Sequence, residues 1–230
     1  MASRGASAQR KYLTELIGTF LFVFAVIGII AGEGCGVGKA LGIGAALMVT
    51  VYASGHISGG HLNPAVSVAA YLRGALRLGD LGPYIAAQVV GAIAAFGVGF
   101  VLWHDKYFAT PADLGGKMWA ALVGELVFTF ALCYVVLHTA TSRDTAGNSF
   151  YGLAIGFVVT AGVVAVGDIS GASFNPALTI GLVLPGLFSW KYLWLYLLAE
   201  LSGAVLAAYA YKATSLDDQR GTVPRPFRRS

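Results

Sequence analysis

Blocks of this chain occur twice, about 110 positions apart, and that repetition limits the possible folds more than any single residue does. Glu15-Leu16-x-x-Thr19-Phe20 returns as Glu125-Leu126-x-x-Thr129-Phe130, shifted by 110. Ile57-Ser58-Gly59-x-x-x-Asn63-Pro64-Ala65 returns as Ile169-Ser170-Gly171-x-x-x-Asn175-Pro176-Ala177, shifted by 112. Tyr84, Ala87, Gly91 and Ala95 return as Tyr196, Ala199, Gly203 and Ala207, also shifted by 112. The repeated material is apolar: 57% of the 230 residues are hydrophobic and 11% charged, with a mean hydropathy of +0.73. Soluble domains carry about a quarter charged residues. Six runs, near 12–31, 40–57, 82–103, 118–139, 151–167 and 190–211, are long enough to cross a hydrocarbon core of ~30 Å. Two more, about 64–73 and 176–185, are too short, since ten helical residues reach only ~15 Å.

Each half therefore holds three spans and one short element. Three is odd, so the second half enters the membrane from the opposite side. The predicted fold is an all-α membrane protein, an inverted repeat of three transmembrane helices plus one half-helix each. Six spans and two re-entrant half-helices form a single transmembrane domain over 1–230, with repeats about 12–103 and 118–211 and a basic tail at 212–230. This composition excludes a soluble enzyme, a nucleic-acid binder and a disordered chain.

With the N-terminus inside, the inner segments hold Arg4, Arg10, Lys11, Arg73, Arg77, Arg143, Lys212, Arg220, Arg225, Arg228 and Arg229. The outer segments hold Lys39, Lys106, Lys117 and Lys191. That bias puts both termini in the cytoplasm of a multi-pass protein of the plasma or bacterial inner membrane. The tail Arg225-Pro226-Phe227-Arg228-Arg229 reads either as a site for anionic lipid or as a solvated topogenic tail. Cys35 and Cys133 make no disulfide framework. Cys133 reads as a small packing residue, and Cys35 lies in a short outer loop. The first apolar run is long enough to span and lacks a cleavage context.

Inverted repeats with interrupted apolar segments point to a transport pathway near the midplane. Irregular backbone at that depth survives only where protein buries it or water lines it. The carbonyls of Gly59, Gly60, His61 and Leu62, and of Gly171, Ala172, Ser173 and Phe174, would then form ladders of acceptors along a pore. Proline is preorganised for the first helical position and disfavours helix before it. Asn63 and Asn175 therefore read as N-caps, with Pro64 and Pro176 opening short helices and Ala65 and Ala177 following. A capping Asn accepts with its carbonyl, which leaves its NH₂ free to donate into the lumen. Two such donors on the positive ends of two half-helices repel cations and suit small neutral solutes. One Asn-Pro-Ala is a weak signal, because Asn-Pro also opens ordinary loops; two copies in matching half-repeats are not.

Glu15 and Glu125 are intramembrane carboxylates, functional by default. One reading is a proton relay. The other is a brace, each accepting N–H donors from the adjoining half-helix loop, and the absence of titratable neighbours in sequence favours it. Glu200 stands where Gln88 stands in the first half, so the position calls for a hydrogen-bonding group. His56 and His61, without nearby cysteine or carboxylate, do not form a metal site; His61 braces the loop and turns a carbonyl to the lumen. No cofactor is implied. The small residues at four-residue spacing (Ala87, Gly91, Ala95 and their repeats) allow close helix approach, and their symmetry suggests that the two halves cross there.

The paired Asn-Pro-Ala boxes and the two Glu-x-x-x-Thr-Phe blocks resemble the major intrinsic protein family of aquaporins and glyceroporins, over about residues 12–211. The stretch Gly55–Ala65 looks like bacterial water channels. The resemblance implies six tilted helices and two half-helices, one pore per subunit, and a homotetramer. It also implies a selectivity filter at Ile43, Val163, Ala172 and Leu178. Most similar channels carry Arg where this chain has Leu178, so its outer filter is wholly apolar. Such a ring makes ions costly to dehydrate and offers water few partners. Asp168, just before the second box, reads as a loop acid, either solvated or adding negative potential at the outer mouth. The function expected is passive conduction of water, with glycerol, hydrogen peroxide, ammonia or a dissolved gas as further candidate solutes. The rivals are a weakly conducting scaffold or adhesion protein of the same fold, and an ion-coupled transporter. No nucleophile–base set for an enzyme can be assembled.

Overall fold

The computed structural model describes residues 7–32, 36–106 and 113–215. Cys35, Arg4, Arg220 and the Arg225–Arg229 tail lie outside the described residues. Eight α-helices follow one another: α1 (Ala8–Ala31), α2 (Gly36–Ser54), α3 (Pro64–Arg73), α4 (Leu78–Trp103), α5 (Met118–Val136), α6 (Tyr151–Ser170), α7 (Pro176–Val183) and α8 (Leu193–Thr214). Six of them are long and apolar enough to cross a membrane, α5 being prolonged by a π turn over Leu137–Thr141. The remaining two, α3 and α7, have ten and eight residues, about half the thickness of a hydrocarbon core.

Side-chain contacts fix which helix ends share a side. At the N-terminal side, Tyr12 donates to Asp80 at 2.8 Å, joining the starts of α1 and α4. There too Tyr52, near the end of α2, donates to the Ser149 carbonyl before α6 at 2.9 Å. Arg73, closing α3, donates to Thr141 Oγ1 at 2.9 Å and to the Tyr211 hydroxyl of α8 at 3.1 Å. At the far side, Lys39 reaches the Ile30 carbonyl at 3.2 Å and Lys117 reaches the Asp168 carbonyl at 3.3 Å. α3 thus returns to the N-terminal side, while α7 runs to the far one. The inversion of the second half, inferred above by counting spans, is built into these contacts.

The glycines show where helices touch. A Cβ on Gly91 would lie 2.4 Å from the Leu16 carbonyl, and one on Gly203 would lie 2.6 Å from the Leu126 carbonyl. The small-residue stripes therefore pack α4 on α1 and α8 on α5, within each half. The expectation that the halves cross at these stripes is corrected. They cross instead at Gly44 of α2 and Gly156 of α6. A Cβ on Gly44 would meet the Gly156 carbonyl at 2.6 Å, and one on Gly156 would meet the Gly44 carbonyl at 2.5 Å. These glycines are also 112 apart, so they face each other across the pseudo-twofold axis.

Helix ends move by a few residues from the hydropathy boundaries. α1 starts at its Ser7 cap, whose hydroxyl accepts from the Arg10 N–H at 3.4 Å. α6 runs three residues past 167 and stops at Gly171, in the left-handed region with φ 86°. Glycine is what such a helix end calls for. Asp168 consequently stands exposed on the last turn of α6, where a loop was expected.

Candidate functional site

The two loops between the long and short helices are held open by the same frame. Glu15 Oε1 accepts from Ser58 Oγ at 2.6 Å and from the His61 N–H at 3.0 Å, and Oε2 accepts from the Leu62 N–H at 2.7 Å. Glu125 Oε1 accepts from Ser170 Oγ at 2.6 Å and from the Ser173 N–H at 3.0 Å, and Oε2 accepts from the Phe174 N–H at 2.8 Å. Ser58 and Ser170 also accept the N–H two residues on, from Gly60 at 3.0 Å and Ala172 at 3.1 Å. Tyr84 donates to the Ser58 carbonyl at 2.6 Å, and Tyr196 donates to the Ser170 carbonyl. The repeat displayed these serines and tyrosines, but a role emerges only when the loop conformation is known.

That conformation is strained in matching places. Gly59, Gly60 and Leu62 have φ of 104°, 60° and 50°, and Gly171, Ala172 and Phe174 have 86°, 55° and 54°. Non-glycine residues in the left-handed region cost of order 1–3 kcal/mol each and persist only where surroundings over-determine them. Here a buried carboxylate holding two consecutive N–H groups supplies the constraint. The carbonyls of Gly59–His61 and Gly171–Ser173 accept no hydrogen bond from another protein group among the described residues, which leaves them available to a passing solute.

Asn63 and Asn175 cap α3 and α7. Asn63 Oδ1 accepts from the Ala65 N–H at 2.8 Å. Asn175 Oδ1 accepts from Ala177 at 3.0 Å and from Leu178 at 3.4 Å. The NH₂ groups are not wholly free, as the sequence reading had them. Asn63 Nδ2 donates to the Phe174 carbonyl at 2.9 Å, and Asn175 Nδ2 donates to the Leu62 carbonyl at 2.9 Å. Each amide spends one hydrogen on the opposite loop and keeps the other. Leu62 and Phe174 are buried, with carbonyls already occupied, so they leave the ladders of free acceptors.

A narrow cavity runs past both asparagines, and about 20 Å³ of it admits the centre of a water molecule. Gly60, His61, Asn63, Ala172, Ser173 and Asn175 give it one polar edge; Phe22, Leu47, Val51, Val66, Leu132, Val136, Ile155 and Val159 make the rest apolar. Ile43, Ala172 and Leu178 line it together, and Leu178 is only 3% exposed. Val163 does not line it: the α6 wall is Ile155 and Val159, and Val163 is half-buried one turn beyond. The four-residue steps Val159, Val163, Gly167 run along α6 from this cavity to a wider one at the far side. That cavity, about 370 Å³, is lined by Asp113, Lys117, Asp168, Gly171 and Tyr192 among others. The Tyr192 hydroxyl and the Gly115 N–H hold the Asp113 carboxyl below the usual carboxylate range. At the N-terminal side a third cavity, about 130 Å³, includes Lys11, Ser58, His61, Arg77 and Asp80. His61 belongs to both this cavity and the central one, and its Nδ1 is 3.1 Å from Ser67 Oγ.

Known proteins align with nearly the whole chain. The family model described as "Major intrinsic protein" matches residues 2–211. Aquaporin NIP1-4 of Oryza sativa subsp. japonica is 38% identical over 216 residues, covering 90% of this chain and 78% of that protein. Glycerol uptake facilitator protein-like 6 of Lactiplantibacillus plantarum is 35% identical over 224 residues, covering 91% and 100%. The crystal structure of the aquaglyceroporin from Plasmodium falciparum shares the fold, with a TM-score of 0.75 at 24% identity, over 89% of this chain and 96% of that one.

Proposed function

Because the chain belongs to the major intrinsic protein family of membrane channels, we propose that it conducts water and other small uncharged solutes passively. The pathway runs from the far-side cavity past Leu178 and the two asparagines to the cavity at His61. The crossed Asn63–Phe174 and Asn175–Leu62 bonds carry this reading. They fix two amide groups at the meeting point of two helix N-termini, each with one hydrogen left to donate. A solute with lone pairs gains partners there, while a cation meets positive potential from both helices.

The wall supports a solute range broader than water alone. Outside the asparagines, the lining of the central cavity offers backbone acceptors, His61, Ser173 and apolar side chains, with no Lys or Arg among its described residues. A solute with an apolar face loses little there, and water keeps few of its partners. Glycerol, through its carbon edge, and dissolved gases fit that description, while hydrogen peroxide and ammonia fit as small uncharged molecules. Ile43, Ala172 and Leu178 are the filter residues of this reading, with Val159 or Val163 facing them from α6. Both termini lie in the cytoplasm, and four subunits assemble, each with its own pore.

Stopped-flow light scattering on proteoliposomes, with osmotic shocks of sucrose, glycerol and urea, tests the proposal. The protein should accelerate shrinkage in sucrose and re-swelling in glycerol over protein-free vesicles. Asn175→Asp should lower both fluxes or admit cations, since it replaces a donor by a negative charge. Folded protein that accelerates neither flux would overturn the channel reading.

A further inference from the structure

The bracing frames of the two halves correspond position for position, and at one position an amide is matched by an acid: Gln88 on α4 by Glu200 on α8. Gln88 Nε2 donates to Glu15 Oε2 at 2.8 Å and to Ser67 Oγ at 2.9 Å, and its Oε1 is buried without a partner. Glu200 Oε1 lies 2.7 Å from Thr179 Oγ1, the counterpart of Ser67, and accepts the Asn175 N–H at 3.0 Å. Its Oε2 is buried without a partner. Oxygen for nitrogen and orphan for orphan, Glu200 occupies the place of an amide that donates to the bracing carboxylate. That carboxylate is here Glu125.

Glu125 accepts three hydrogen bonds, spread over both oxygens, which stabilises its anion. Glu200 receives two, both on Oε1, and the donors reaching either residue are hydroxyls and backbone N–H groups. By the correspondence with Gln88 and Glu15, Glu200 faces Glu125 with no cation between them, and two buried carboxylates so placed cannot both be ionised at reasonable cost. We propose that Glu200 is a neutral carboxylic acid whose Oε1–H donates to Glu125, so that one proton does for the second box what the Gln88 amide does for the first.

The other titratable groups on elements packed against α8 are placed elsewhere. Tyr196, one turn before Glu200, commits its hydroxyl to the Ser170 carbonyl. Tyr71 and Arg73 lie at the end of α3; on α5, Cys133 and Tyr134 lie about two turns past Glu125, and His138 lies at the N-terminal side beside Tyr211, their ring centroids 4.7 Å apart. Lys191 and Tyr192 precede α8 at the far side, and α7 carries no titratable residue. Removing the proton would set two anions against each other beside the Asn175 cap. If the channel reading holds, solute flux falls where that proton is lost at high pH.

Infrared spectroscopy of the reconstituted protein tests the proton without reference to transport. At neutral pH the wild type should show the carbonyl stretch of a buried protonated carboxyl, and Glu200→Gln should lose it. Gln88→Glu, which builds the same pair in the first half, should add a second such band. No neutral-pH band in the wild type, a band that survives in Glu200→Gln, or none added by Gln88→Glu would overturn the assignment. Where flux is measurable, its alkaline decline should disappear in Glu200→Gln, and a decline of wild-type size in that variant would equally overturn it. A protein with the expected bands and no flux would instead defeat the channel reading while leaving the proton in place.

Discussion

Leu178 stands where the family resemblance implies an Arg. Its side chain is buried on the cavity wall, beside a loop whose carbonyls at Gly171, Ala172 and Ser173 have no other protein partner. Leu178→Arg brings five N–H donors to that wall. If those carbonyls receive them, the cavity narrows and the ratio of water to glycerol permeability rises. An unpaired buried guanidinium would cost several kcal/mol and prevent folding, so a folding control accompanies the flux measurement. A folded variant with an unchanged ratio would place the selective step elsewhere. At this scale the sequence was legible where a residue's chemistry implies its bond. An Asn before a Pro is a cap, and an intramembrane Glu is a brace for N–H groups. The second hydrogen bond of each Asn was not legible, because its acceptor lies over a hundred positions away and depends on how the halves meet. Val163 stands one turn beyond the central cavity, between Val159 on its wall and Gly167 on the far-side one, because spacing from the box does not say how far along α6 the cavity extends.

Among the elements, α2 and α6 touch backbone to backbone at Gly44 and Gly156. A side chain on Gly44 would start 1.9 Å from Thr160 Oγ1 and 2.6 Å from the Gly156 carbonyl. Backbone cannot yield as a flexible side-chain end does. Gly44→Val is expected to destabilise the protein by about 1–3 kcal/mol or more, read as a lower thermal midpoint in detergent. Gly97, which has open space around its Cβ position, provides the comparison: Gly97→Ala should leave that midpoint in place. Hydropathy found all eight helices because a membrane helix must be long and apolar, and a half-helix must be short. It could not find the crossing. The Ala–Gly–Ala stripes were conspicuous and turned out to pack helices within a half, whereas the pair that joins the halves is a single glycine in each. Its one sequence signal is the shared offset of 112.

For the whole molecule, the described cations fall unequally on the two sides. Arg10, Lys11, Arg73, Arg77, Arg143 and Lys212 lie at the N-terminal side, and Lys39, Lys117 and Lys191 lie at the far one. With the N-terminal side cytoplasmic, Ser189→Cys should react with a membrane-impermeant maleimide in intact cells, in a chain whose Cys35 is replaced by Ala. Ser215→Cys should react only after permeabilisation. The reverse pattern would invert the assigned orientation. Trp119, Trp190 and Trp194 are 69%, 61% and 54% exposed near the far-side helix ends, where indole rings favour the interface. Trp103, also at a far-side helix end, turns inward instead, its ring centroid 5.3 Å from that of Phe24, over the space that Gly28 leaves open.

The crossed asparagine bonds also bear on how such a chain is assembled. While only the first three spans and α3 have been synthesised, Asn63 has no carbonyl to clasp and the Leu62 carbonyl has no amide. Both wait in the membrane interior, where unsatisfied backbone costs several kcal/mol per group. The second half arrives last and completes both bonds at once. An isolated first half has a single remedy of the same kind: another copy of itself, inserted upside down. Its own Asn63 would then reach the Leu62 carbonyl of that copy, and the copy's Asn63 would reach back. The clasp that locks this monomer is thus the contact from which a pair of oppositely oriented half-length chains would be built.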